Sequence, residues 1–126
     1  MNEIILNAIR TPDGTVLESR TRHDYVTHKD ANGKRYMVDG GLDYIRRSNN
    51  SDEEDLTVML NDGHKTVREA LTWGTRGIDG KEELRYVRLC DMTTEHIEAC
   101  LETQLSMYPQ IRTAMQDELK WREENA

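Results

Sequence analysis

The first forty residues combine short apolar runs with polar turns, a pattern typical of β-hairpins. One turn covers residues 11–15, where a proline fixes φ and a glycine tolerates positive φ. A second turn contains Asn32 and Gly33, a pair that suits the left-handed positions of a hairpin loop. We therefore expect a four-stranded antiparallel meander with strands over residues 3–9, 15–19, 21–28 and 34–39.

The next twenty residues lose this alternation. Gly40 and Gly41 are expected to end the fourth strand, and residues 42–47 to form one helical turn. Residues 48–55 read SNNSDEED, which is polar and acidic, so we expect a mobile acidic loop that joins two halves of one domain. Residues 56–60 are a further strand candidate.

The second half of the chain follows the helical period. Gly74 stands where a glycine commonly follows the last turn of a helix. Thr93 suits a helix N-cap, with Met92 placed to pack on Ile97 as a hydrophobic staple. Pro109 suits the first turn of the last helix. The pattern predicts helices over residues 61–74, 91–105 and 108–125, with a loop over 75–83 and a strand over 84–90.

Strands followed mainly by helices predict the α+β class, with an antiparallel sheet of hairpins in the N-terminal half covered by two or three C-terminal helices. A length of 126 residues predicts a single domain over residues 1–126. Only 36% of the residues are hydrophobic and none is Phe, so the core must be small. We therefore expect modest stability, or a homo-oligomer that adds to the core.

The net charge of −7 argues against broad nucleic-acid binding, because contacts to phosphates need a basic surface. It leaves room for a local cationic pocket that binds a small anion. Two cysteines make no disulfide framework and favour a reducing cytoplasm. We find neither a signal peptide nor an apolar run long enough for a membrane span, so no membrane partner is expected.

Basic residues and imidazoles are concentrated in the stretch ESRTRHDYVTHK, residues 18–29. If this stretch is a strand, alternation places Arg20, Arg22, Asp24 and His28 on one face and His23 on the other. The functional interpretation is an anion pocket in which the two arginines donate and Asp24 orients one of them. The alternative, which we favour, is the solvated face of a hairpin.

A proton-transfer role is open to His23, whose ordinary pKa suits general-base work. With Asp24 or His64 as a partner, His23 would make the protein a small hydrolase, but the spacing of these residues in the sequence does not predict that they lie close together. A partly buried structural histidine is the more frequent case. We therefore treat His23 as a weak candidate and predict no catalytic residue.

A second candidate ligand-binding group is Trp73, Thr75 and Arg76, in the segment WGTRG. An aromatic plane beside a guanidinium and free backbone amides suits a nucleobase or a phosphate. The alternative is that Trp73 anchors the end of a helix while Arg76 faces water. Neither this segment nor NDGHKT matches a phosphate-loop motif, so no cofactor is predicted.

Metal binding has little support in the sequence. Cys90, His96 and Cys100 have a loose spacing without a Cys-x2-Cys knuckle, and Cys100 also fits the apolar stripe of its helix, so no metal is predicted. The last helix carries mixed charges typical of an exposed face, including Glu118. Trp121 on that helix either closes the core or meets a partner chain.

Three segments resemble a set of small accessory proteins of tailed bacteriophages: TPDGTVLESRTRHDY, WGTRGIDG and DMTTEHIEACLETQ. The likeness covers nearly the whole chain and departs at ELKWRE, where Trp121 replaces an expected Tyr. That group has no settled activity, so it transfers no catalytic residues. The resemblance implies a phage protein made in the cytoplasm of an infected bacterial host.

Small acidic phage proteins commonly act by binding, so we expect interference with host defence or metabolism. In one mode the protein sequesters a nucleotide-type anion, with the two candidate groups at a subunit interface. In the other, acidic residues in 51–55 and 117–124 dock on a basic host protein. The small hydrolase and a virion assembly factor are the alternatives.

Overall fold

A computed structural model describes residues 3–77 and 79–126 and confirms the α+β class. The chain divides into two compact units, Met1–Met59 and Leu60–Ala126. This division does not test whether the two units form one domain, so the single domain stays a prediction. The elements are β1 Ile4–Arg10, β2 Val16–Ser19, β3 Val26–Lys29, β4 Arg35–Asp39, β5 Arg46–Arg47, β6 Glu54–Asp55, β7 Val58–Met59, α1 His64–Ala70, β8 Thr72–Thr75, β9 Arg85–Arg88, α2 Thr94–Thr103 and α3 Pro109–Glu124, with 3₁₀ turns at Leu60–Asp62 and Leu89–Asp91.

The two predicted hairpins form as expected, but they do not join into one meander. β1 pairs with β2, β6 and β7, whereas β3, β4 and β5 form a separate sheet. In the first hairpin Thr11 N donates to Thr15 O, and in the second Gly33 N donates to Asp30 O, so both turns lie where the sequence predicts them. The meander fails because the chain between β2 and β3 turns away from the ladder.

That connection is the segment predicted as the start of a strand over 21–28, and the strand begins only at Val26. Asp24 N donates to Thr21 O over 3.0 Å, which closes a turn. Ser19 Oγ donates to Asp24 O, and Asp24 Oδ2 accepts from Arg20 N. Short polar side chains that bond nearby backbone compete with a strand ladder. The predicted alternation from residue 20 is therefore wrong.

A buried asparagine organises the next connection. Asn7, which is fully buried in β1, donates from Nδ2 to Asp39 O at 2.9 Å and to Gly41 O at 3.0 Å. Gly41 has φ 55°, and a Cβ there would overlap the backbone of Thr21. The predicted helical turn over 42–47 is wrong, because a turn followed by the short strand β5 occupies this segment.

The core of the first unit includes a cluster of buried side chains from β1, β2 and β4. Ile9, Leu17, Tyr36 and Val38 are buried together, with Val26 packed against them. The segment predicted as a mobile acidic loop, 48–55, is bonded to this unit and ends as β6 on β1. Its acids are engaged: Asp52 accepts from Lys34 Nζ and Tyr36 Oη, and Glu53 accepts from Ser48 Oγ.

In the second unit the first helix is shorter than predicted. It ends at Ala70, and Leu71 already has an extended backbone with ψ 127°. Gly74 is therefore not a helix-ending residue but lies within β8, opposite Tyr86 of β9. Buried Leu71 and the cross-strand partners of Thr72 and Trp73 outweigh the helical pattern of the sequence, as tertiary packing often does.

The two later helices lie where the sequence predicts them. Thr93 caps α2 by accepting from His96 N at 3.1 Å, and Pro109 occupies the first turn of α3. Met92 and Ile97 are both buried. Within the described residues, no helix combines the length and the apolar character needed to cross a bilayer. The most deeply buried apolar side chains of this unit are Val67, Leu71, Leu89, Ile97, Ala114 and Met115.

Candidate functional site

The predicted site residues fall into two groups, one in each unit. Arg20, Arg22 and Asp24 lie in the first unit, together with the weak candidate His23. The second unit holds the other three residues, Trp73, Thr75 and Arg76.

The group in the first unit is mainly engaged in its own turn. Asp24 uses its carboxylate to accept from the backbone of Arg20, and the Arg20 guanidinium forms an ion pair with Glu18 at 2.9 Å. Arg22 and His23 are exposed on the turn. His28, expected on the same face as the arginines, instead places Nε2 2.8 Å from Asp13 Oδ2. These contacts make the stretch a structured turn rather than a formed pocket.

The group in the second unit does line a cavity. Trp73 and Thr75 share one face of β8, Arg76 follows the strand, and all three border a cavity of about 300 Å³. We call it the α2 cavity, because helix α2 supplies its other wall. The α2 side comprises His96, Ala99, Cys100, Thr103 and the residue after the helix, Gln104.

The polar groups of the α2 cavity are suited to an anion. Arg76 is exposed, and its guanidinium forms no ion pair within the described part of the chain. Thr75 Oγ1 accepts from Gly77 N at 3.2 Å, which ties the loop after β8 to the strand. Arg85 lies directly opposite Thr75 on β9, so a second guanidinium shares this face of the ribbon.

One carboxylate lies beside the loop that follows Arg76. Gly77 has φ 82°, and a Cβ on it would overlap the carboxylate of Glu82. The same loop is closed by Glu82 N, which donates to Arg76 O at 2.9 Å. The acid therefore weakens the positive potential beside Arg76 without forming an ion pair with it.

Cysteine chemistry is disfavoured in the α2 cavity. Burial raises the pKa of the Cys100 thiol, which keeps it protonated and a poor nucleophile. Across residues 3–77 and 79–126, no three or more His, Cys, Asp or Glu side chains gather as a metal would require.

Sequence reasoning missed the contribution of α2 to this cavity. His96, Cys100 and Thr103 are spaced at i, i+4 and i+7, which places them on one helical face, but the sequence suggested only a weak metal site for His96 and Cys100, or burial in the core for Cys100. The signal was present in that spacing. What the sequence lacked was the pairing of β8 with β9, which orients Trp73 and Thr75 together.

A buried charge cluster lies elsewhere in the second unit. Glu118 is fully buried, so the expectation that this position belongs to an exposed mixed-charge face is wrong. Its carboxylate accepts from Arg68 Nε at 2.8 Å and from Arg122 Nε at 2.7 Å, and His64 Nε2 lies at 2.8 Å. The guanidinium of Arg68 also lies 4.0 Å from the centre of the Trp121 ring. Trp121 therefore has a packing partner within the second unit.

These partners determine the pKa of Glu118. Burial raises it, but the hydrogen bonds from Arg68, His64 and Arg122 together outweigh burial and lower the pKa from 4.5 to about 2. The Arg68 guanidinium in turn has a raised pKa because it bonds this carboxylate. We interpret the cluster as a stabilising link between α1 and α3.

The surface predicted to dock on a basic host protein comprises the acids of residues 51–55 and 117–124, and several of these acids already pair within the protein. Asp52 pairs with Lys34, Asp55 pairs with Arg47, and Glu118 is buried. Glu54 pairs with Arg10 and Glu53 accepts from Ser48 Oγ, so the exposed acids of this surface that remain are those of α3: Asp117, Glu123 and Glu124.

No known protein family, no characterised protein and no solved structure matches this chain, so its function is argued from its own residues.

Proposed function

We propose that this protein acts by binding a nucleotide-type anion in the α2 cavity. The observation that supports this proposal is the convergence of Trp73, Thr75, Arg76 and His96 on one cavity of about 300 Å³. That volume lies at the lower end of the range of small-molecule sites, which begins at about 300 Å³.

The groups divide naturally between the two ends of such a ligand. The guanidinium of Arg76 is the natural partner of a phosphate, because its fork of donors matches two phosphate oxygens. Thr75 and His96 offer further polar atoms. Trp73 offers a ring face on which a base stacks, and such stacking contributes about 1–3 kcal/mol per base.

We infer binding rather than turnover. Cys100 is the strongest potential nucleophile that borders the cavity, and burial raises its pKa, away from the reactive thiolate. In the phage setting implied by the sequence resemblance, such a protein sequesters a nucleotide of the host, in the cytoplasm of the infected bacterium. Interference with host defence or metabolism would follow from removal of that nucleotide.

The test is a titration with mononucleotides and cyclic dinucleotides, read by calorimetry and by thermal shift. A ligand present at a hundred times its Kd should raise the free energy of unfolding by about 2.7 kcal/mol. Arg76→Ala should weaken binding by about tenfold to a hundredfold, because hydrogen bonds to charged groups contribute about 1.5–3 kcal/mol. Glu82→Gln should tighten binding, since it removes a negative charge beside the loop that follows Arg76.

The matched control is Lys65→Ala, which removes the same charge from an exposed position of α1. It should leave the affinity within a factor of about two. The proposal fails if no nucleotide binds, or if Arg76→Ala and Lys65→Ala have the same affinity as each other.

A further inference from the structure

Two cations lie directly opposite each other on the outer face of the second hairpin. In the register of β3 and β4, Lys29 pairs with Arg35 and Thr27 pairs with Met37. The other face of these strands carries Tyr36 and is buried in the core. Like charges in directly opposed positions weaken a strand pair, and an anion bound between the two side chains would relieve that repulsion.

The nearby carboxylates are already engaged. Asp30 Oδ1 accepts from Asn32 N and Lys34 N at 2.9 Å, so it serves its own turn. Asp52 pairs with Lys34, and Asp13 bonds His28. Within the described residues, neither Lys29 nor Arg35 forms an ion pair through its side chain.

A small cavity borders the same two cations. It has a volume of about 140 Å³ and is lined by Tyr25, Thr27, Lys29, Arg35 and Met37, among others. A cavity of about 150 Å³ holds one benzene ring, so this cavity matches a single planar ring. Tyr25 is 57% exposed, which leaves its ring face open for stacking.

We propose that this face of the first unit is a second ligand site, which takes a nucleoside monophosphate with a single-ring base. The base lies in the cavity against Tyr25, and the phosphate lies between Lys29 and Arg35. This proposal is independent of the α2 cavity, because all its residues belong to the first unit. A free nucleotide is favoured over a strand of nucleic acid because the net charge of −7 repels a polyanion.

The decisive variant is Lys29→Glu, which replaces the repulsion of Arg35 with an attraction across the strands. We expect it to weaken nucleotide binding by about tenfold or more and at the same time to raise the thermal stability of the hairpin. A residue with a purely structural role would not improve stability while losing binding. Lys65→Glu is the matched control, since it makes the same charge change on an exposed part of α1.

The experiment follows amide chemical shifts of the uniformly ¹⁵N-labelled protein during titration with AMP, UMP, inorganic phosphate and a short oligo(dT). We expect UMP, whose base is a single ring, to shift the amides of residues 25–37 at lower concentration than AMP does, and Tyr25→Ala to weaken UMP but not phosphate. Shifts confined to residues 73–77 and 96–104 would support the α2 cavity and overturn this second site. The proposal is also overturned if Lys29→Glu binds like the wild type or is less stable, or if only the oligonucleotide shifts residues 25–37.

Discussion

The buried carboxylate of Glu118 offers the sharpest test of the forces that hold the second unit together. Glu118→Gln keeps the size and the acceptor oxygen of the side chain but removes its charge. Arg68 and Arg122 then keep their positive charge beside a neutral amide. Where the amide nitrogen of Gln replaces a carboxylate oxygen, the donors of the arginines meet another donor instead of an acceptor. Removing one member of a buried ion pair costs about 3–5 kcal/mol.

The pKa of Glu118 gives an independent magnitude. It is lowered from 4.5 to about 2 in the folded protein, and a tenfold change in proton affinity is worth 1.36 kcal/mol. The folded-state pKa is depressed, so the contribution is fully present above pH 4.5 and is lost as the pH falls towards 2. It amounts to about 3 kcal/mol at pH 7 and should shrink by about 2 kcal/mol between pH 7 and pH 3.

The assay is urea unfolding of the wild type and Glu118→Gln at pH 7, 5 and 3, followed by tryptophan fluorescence. Both tryptophans, Trp73 and Trp121, belong to the second unit, so the signal reports on the unit that holds the cluster. Other carboxylates titrate in both proteins, so their contribution largely cancels in the difference. Glu123→Gln, exposed on the same helix, should change the free energy of unfolding by less than about 0.5 kcal/mol.

Two results would refute this reasoning. The first is a Glu118→Gln variant as stable as the Glu123→Gln control at pH 7. The second is a penalty for Glu118→Gln that stays the same from pH 7 to pH 3, which would mean that the carboxylate is not held in its charged form.

Three further predictions concern single positions. Gly41→Ala should destabilise the first unit far more than Gly80→Ala destabilises the second, as measured by hydrogen exchange; both have positive φ, but only Gly41 lacks space for a Cβ, and equal effects would contradict this. Thr93→Ala should cost about 1 kcal/mol in urea unfolding because it removes the N-cap of α2, and no loss would refute the cap. The pKa of Tyr36 is raised to about 12 by burial and by its hydrogen bond to Asp52, so Tyr36→Phe should remove an ionisation well above pH 10 from an ultraviolet titration. Loss of an ionisation near pH 10 instead would contradict the hydrogen bond.

Short-range patterns were sufficient for most of the elements. Turn residues at 11–15 and at Asn32-Gly33 placed both hairpins, and the N-cap Thr93 and the first-turn Pro109 placed the two later helices. These signals act between residues a few positions apart, so they can be recognised in the sequence before any tertiary contact is known. The α+β class followed from the same signals.

Only one wall of the candidate site could be predicted from such short-range signals. Trp73, Thr75 and Arg76 are contiguous, so their chemistry could be recognised as a group, and they do border one cavity. The opposite wall, with His96, comes from a helix about twenty residues further along the chain. The pairing of Lys29 with Arg35 depends in the same way on register, since it exists only once β3 lies against β4.

The sequence by itself determined the secondary-structure class, the positions of its turns and caps, and the acidic charge of the chain. Only the tertiary structure decided that residues 20–25 leave the ladder, that Gly74 joins a strand, and that Glu118 is buried. The physical reason is the range of the forces involved. Turns and caps depend on local backbone geometry, whereas burial, strand register and the partners of a charge depend on residues distant in sequence, such as Glu118 and Arg68, fifty positions apart.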